Sequence, residues 1–114
     1  MLLFQEVIPR LYEHGSSAEE VWYRVDGAST DDALYLVSYT VLRHTDKGVW
    51  LDVYGEEKFV LNGVGKRWAN PTRHEAMVSF IARKKMQIRI LSAQLNSTKD
   101  KLATAERLLK EIEK

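Results

Sequence analysis

The chain contains no cysteine, which excludes disulfides, thiolate catalysis and cysteine-ligated zinc. It has only two prolines, Pro9 and Pro71, and from Thr72 to Lys114 neither proline nor glycine interrupts the backbone. Long apolar runs are missing too: nothing approaches the roughly 18 consecutive apolar residues of a membrane span. The apolar start Met1-Leu2-Leu3-Phe4 is cut by Glu6 and Pro9, well short of a signal-peptide core. Acids are scarce in one stretch, since Glu75 is the single acid between Lys66 and Arg89. These absences lead to the expectation of a protein of the cytoplasm, with no membrane partner.

What is present suits a folded domain. Of 114 residues, 45% are hydrophobic and 29% charged, which argues against disorder. A chain this short buries a modest share of its surface, so self-association would help it. The net charge of +1 conceals an asymmetry: residues 1–64 carry five basic and eleven acidic residues, and residues 65–114 carry twelve basic and five acidic. A solvated helix face is the plainest account of the basic excess. An anionic partner, or attraction between the basic and acidic parts, are the alternatives.

The first part of the chain reads as strands. Val21 to Val25 is β-branched and aromatic. From Leu34 to Arg43, Leu34, Leu36, Ser38, Thr40 and Leu42 share one face, and Tyr35, Val37, Tyr39, Val41 and Arg43 the other. Val49, Leu51 and Val53 alternate with Trp50, Asp52 and Tyr54; Phe59-Val60-Leu61 and Arg67-Trp68-Ala69 are short candidate strands. His44 to Gly48 suits a hairpin loop with glycine at a positive φ, and Tyr54-Gly55-Glu56-Glu57 suits a tight turn. Leu2 to Tyr12 reads as an edge strand or a short helix, with Pro9 favouring the edge. Short connections favour antiparallel neighbours, so the expected sheet is an antiparallel β-meander of about four strands.

Residues 71–114 read as one long helix. Thr72-Arg73-His74-Glu75 fits a capping box, with the Thr72 hydroxyl accepting from the Glu75 amide and the carboxylate reaching back. Ala76, Met77, Val78, Phe80, Ile81 and Ala82 form a wide apolar face of the kind that packs on a sheet; the sheet-packing part is expected to run from Met77 to Ile88. Further on the spacing becomes heptad: Ile81, Ile88, Leu95, Leu102 and Leu109 fall at a, and Met77, Leu91, Ala105 and Ile112 at d. Lys84 and Thr98 are the polar members of the series. Leu91, Leu95, Leu102, Ala105, Leu109 and Ile112 are therefore the candidate oligomer interface. Lys101 and Glu106 stand at g and the following e, a favourable pair in a parallel dimer. A turn at Asn96-Ser97-Thr98, with Ser97 as a second cap, is the competing reading.

Catalytic and metal signals are weak. His14, His44 and His74 have no second ligand at zinc-like spacing. Gly63-Val64-Gly65-Lys66-Arg67 lacks the first glycine and the Ser/Thr of a phosphate loop. Glu19-Glu20, Asp31-Asp32 and Glu56-Glu57 read as solvated loop carboxylates, and Ser16-Ser17 has no base nearby in sequence. No catalytic residue, metal site or cofactor is expected, and enzymatic turnover is not. The remaining candidate is a basic cluster of Lys66, Arg67, Trp68, Arg73, Arg83, Lys84, Lys85 and Arg89, since cations beside an aromatic can hold phosphates and stack a base. A basic helix running into heptads is also the layout of a zipper-type DNA reader, but Ile81 and Ile88 carry the apolar seam through the basic stretch.

Gly65-Lys66-Arg67-Trp68-Ala69-Asn70-Pro71-Thr72-Arg73-His74-Glu75-Ala76, followed by Phe80-Ile81-Ala82-Arg83-Lys84 and Gln87-Ile88, resembles small bacteriophage and prophage-encoded proteins in which a β-rich part leads through such a junction into a long helix. The resemblance covers roughly the C-terminal half. It implies a viral accessory protein made in the bacterial cytoplasm and acting by stoichiometric binding to a host or phage component, and it brings no functional residues with it. The combined expectation is an α+β protein: a sheet part at 1–70, and a helix at 71–114 that continues as a homo-oligomeric coiled coil. Its function would be interaction, or alternatively counter-defence by binding an anionic ligand, a nucleotide signal or a nucleic-acid-containing complex, through the basic sheet–helix junction.

Overall fold

The computed structural model describes residues 4–63 and 67–114. Six strands precede one helix: β1 (Gln5–Ile8), β2 (Leu11–Gly15), β3 (Val21–Gly27), β4 (Leu34–His44), β5 (Gly48–Val53), β6 (Glu56–Leu61) and α1 (Arg73–Glu113). The fold is α+β, as expected, but the sheet is neither four-stranded nor purely antiparallel. β4 is its axis. Residues Leu34 to Ser38 of β4 pair with β2 in parallel and with β3 antiparallel, so β2 and β3 take opposite edges of the same strand. From Val41 to His44, with a register shift between Val41 and Arg43, β4 pairs with β5, and β5 pairs with β6, both antiparallel. Turn chemistry sets hairpins between consecutive strands. It carries no information on β2 against β4, a pairing that skips a strand.

Of Leu2 to Tyr12, Leu2 and Leu3 lie outside the described residues; the rest is not a helix but a hairpin of β1 and β2, with β1 at the end of the strand order. Pro9 precedes Arg10 at φ 70°, the pattern of a type II turn with proline at its first central position. Tyr54 (φ 54°) and Gly55 (φ 88°) join β5 to β6. Two central residues with positive φ are what a two-residue hairpin of this twist requires. The β4–β5 loop departs from expectation. Gly48 is not at a positive φ; it is needed because a Cβ there would collide with the Val60 carbonyl. Arg67-Trp68-Ala69 is not a strand. The chain there is held by Asn70, whose N–H donates to Tyr23 O (2.8 Å) and whose carbonyl accepts from Tyr23 N–H (2.6 Å).

The alternation read in β4 is realised on two buried faces. Leu36, with Leu34 partly buried beside it, packs with Val25, Ala76 and Phe80. Val37 and Tyr39 pack with Trp22, Val49, Leu51, Val60 and Ala69. Helix α1 starts where expected: Glu75 N–H donates to Thr72 Oγ1 at 3.1 Å. It then runs 41 residues without a turn at Asn96–Thr98, about 60 Å at 1.5 Å per residue. Its buried residues are Ala76 and Phe80, with Met77 partly buried; Val78, Ile81, Ala82 and Ile88 are exposed. The sheet-packing part thus ends near Phe80 and does not extend to Ile88, because burial is confined to the first two turns. The chain divides into two compact units, Met1–Ile81 and Ala82–Lys114.

Candidate functional site

The basic residues singled out in the sequence fall on both units. Arg67, Trp68 and Arg73 belong to the first; Arg83, Lys84, Lys85 and Arg89 belong to the second. Lys66 lies outside the described residues. In the first unit the cations are engaged locally. The Arg73 guanidinium donates to Glu13 Oε1 at 2.7 and 3.1 Å and lies 4.9 Å from the Tyr23 ring centroid. The hydrogen bond to Glu13 raises its pKa above the ordinary arginine value. Trp68 packs against Tyr39 and carries two cations, with the Arg24 guanidinium at 4.8 Å and Lys58 Nζ at 4.9 Å from its ring. Arg24 also donates to the Trp68 carbonyl at 2.7 Å and pairs with Asp26 at 3.0 Å. Arg67 lies 5.7 Å from the Trp22 ring, and its Nε is buried with no hydrogen-bond partner among the described residues.

Sequence reading missed Arg24 and Lys58 because they are remote from Trp68 along the chain. Only the β3–Asn70 bridge and the β5–β6 hairpin bring them near. The carboxylates read as solvated are exposed, and several of them are also paired. Arg10 Nη2 pairs with both Asp31 (2.9 Å) and Asp32 (2.7 Å), Arg43 pairs with Glu57, and His44 Nε2 meets Glu20 at 2.8 Å.

A small cavity of about 190 Å³ opens on the first unit, lined by His14, Ser16, Tyr39, Thr40, Asp52 and Tyr54 among others. Its hydroxyls are largely used internally. Ser16 Oγ meets Thr40 Oγ1 at 2.5 Å and accepts the Ala18 amide at 3.0 Å, and Ser38 Oγ donates to Ser16 O at 3.1 Å. Burial, and next to it the Tyr54 phenol, push the Tyr39 hydroxyl above the ordinary tyrosine range. Among the described residues no three His, Asp or Glu side chains gather as a metal site.

The second unit is a bare helix. Every residue from Lys84 to Lys114 is exposed. Leu91, Leu95, Leu102, Leu109 and Ile112 lie between 53% and 79% exposed, and their heptad spacing sets them on one stripe of the continuous helix. Isolated exposed leucines are common on protein surfaces, but here they recur along one continuous stripe. No helix among the described residues is long and apolar enough to cross a membrane. Comparison with protein-family models, curated proteins and solved structures finds no match.

Proposed function

We propose that this chain is a non-enzymatic interaction protein of the phage accessory type, which self-associates through Leu91, Leu95, Leu102, Ala105, Leu109 and Ile112 and presents its sheet unit to a host or phage partner in the cytoplasm. The observation that carries this reading is the uncovered heptad stripe on a 41-residue helix. An isolated helix of this kind leaves each leucine without the roughly 1.5–3 kcal/mol that full burial contributes, and pairing two seams recovers part of it. The accessory assignment rests on the resemblance carried by Gly65 to Ala76, Phe80 to Lys84 and Gln87-Ile88. Sedimentation at micromolar concentration tests self-association. A dimer is expected, converted to monomer by Leu95→Asp or Leu102→Asp with the melting of the sheet unit unchanged. A monomeric wild-type chain would refute it.

A second reading, capture of an anionic ligand such as a nucleotide signal, is favoured by one observation: the buried Arg67 Nε beside the Trp22 ring, with no hydrogen-bond partner among the described residues. A guanidinium edge beside an aromatic suits a phosphate and a base. Thermal-shift screening of nucleotides and cyclic nucleotides at low salt is the test, with a shift expected in the wild type and lost in Arg67→Met. No shift, together with no salt-dependent binding of DNA or RNA, would remove this reading.

A further inference from the structure

The seam's composition bears on more than whether it pairs. We infer that it pairs with a second copy of itself running antiparallel, with Ile88 facing Ala105 and Lys85 facing Glu106 of the second copy; this rests on the self-association proposed above. Three features of residues 82–114 lead there.

The first is Lys84, which occupies a d position and is the one charged member of the series. A parallel, in-register pair sets Lys84 against its own copy, two like charges in an apolar seam. A lone lysine in such a seam selects against the arrangement that pairs it with itself. Antiparallel pairing sets it against Leu109, along which its stem can lie while the ammonium reaches water. The second is side-chain volume. Parallel pairing stacks Ala105 on Ala105 and leaves a gap in the seam, whereas the antiparallel register sets Ala105 against Ile88 and Thr98 against Leu95, small against large.

The third is charge. Residues 82–99 carry five basic residues and no acid, while residues 100–114 carry four basic and four acidic. Parallel pairing aligns the two purely basic stretches. Antiparallel pairing aligns each with residues 94–111 of its partner, which carry three of those acids, Asp100, Glu106 and Glu111. At the flanks, where e faces e in an antiparallel pair, Lys85 then meets Glu106, twice by symmetry. The competing contact is Lys101 with Glu106 in the parallel form. It is an exposed pair of the same kind and no stronger, so it does not offset Lys84 and the aligned basic stretches.

The absence of cysteine lets introduced thiols report the geometry without background. Full-length Ile88→Cys is mixed with a tagged full-length Ala105→Cys chain, equilibrated and oxidised. Antiparallel pairing yields the mixed, tagged–untagged disulfide. Parallel pairing yields the two like-with-like disulfides, and that result overturns the orientation while leaving self-association standing. A monomer by sedimentation removes both. A charge swap gives a second readout. Lys85→Glu and Glu106→Lys should each raise the dimer dissociation constant about tenfold, and the double variant K85E/E106K should restore it. In the parallel form the double variant leaves Lys101 facing a lysine, and no restoration would contradict the antiparallel pairing. Circular dichroism of every variant checks that α1 is intact.

Discussion

Residues 4–81 and residues 82–114 solve the same problem in opposite ways. The first unit buries its apolar side chains on both faces of β4 and ties its surface cations to specific partners, Arg10 to Asp31 and Asp32 and Arg73 to Glu13. The second unit has as regular an apolar pattern and buries none of it. In β4 and β5 the period of two meets neighbouring strands of the same chain. Along α1 the residues spaced three and four apart from Ile81 onward, Ile81, Ile88, Leu91, Leu95 and Leu102 among them, are exposed. Comparable hydrophobic patterning is therefore buried in one region and exposed in the other.

The contrast breaks most sharply at paired leucines. Leu51, fully buried in β5, should lose about 2–5 kcal/mol of stability on replacement by alanine, measured by urea denaturation. Leu95→Ala should stay within about 0.5 kcal/mol for the monomer while weakening association. If Leu95→Ala lowered the monomer's stability as much as Leu51→Ala, the division into core and interface would fail. Gly48→Ala comes next, because its Cβ would collide with the Val60 carbonyl. A loss of roughly 1–3 kcal/mol is expected as β5 and β6 shift apart, read from the same denaturation curves.

Thr72→Ala removes the side-chain acceptor for the Glu75 amide and should cost about 1 kcal/mol. Serine at that position should recover most of it, and equal loss with serine would show that the cap is not the cause. The smallest effect concerns acid. The Ala33 amide, and after it the Arg10 guanidinium, hold the Asp31 carboxyl below the ordinary carboxylate range. Its contribution to stability is therefore full above the unfolded value and is lost as pH falls through the folded one. A melting-temperature profile from about pH 5 to about pH 2 should fall less steeply in Asp31→Asn than in the wild type. The group is exposed, so the difference should be slight and shrink further in high salt.

The parts of the molecule legible in sequence are those governed by near neighbours along the chain. The period-two pattern of Leu34 to Val41 gave the correct two faces, Tyr54-Gly55 the correct turn, and Pro71-Thr72 with Glu75 the correct helix start. What escaped was non-local. Arg24 and Lys58 reach Trp68 only because β3 bridges Asn70 and β6 folds back on β5. The basic cluster, read as one patch, falls on two units, with Arg73 neutralised by a glutamate 60 residues away.

The amino-acid order by itself thus determined the helix, its cap, its seam and the alternating faces of the strands, since each depends on spacing within a few residues. Tertiary structure alone decided that β2 lies parallel to β4, that Gly48 is required by a backbone approach, that the apolar face of α1 is covered only as far as Phe80, and which cations find acids. Each of these depends on atoms that lie apart along the chain and meet only once it has folded back on itself, and local propensity carries no energy for choosing among such closures.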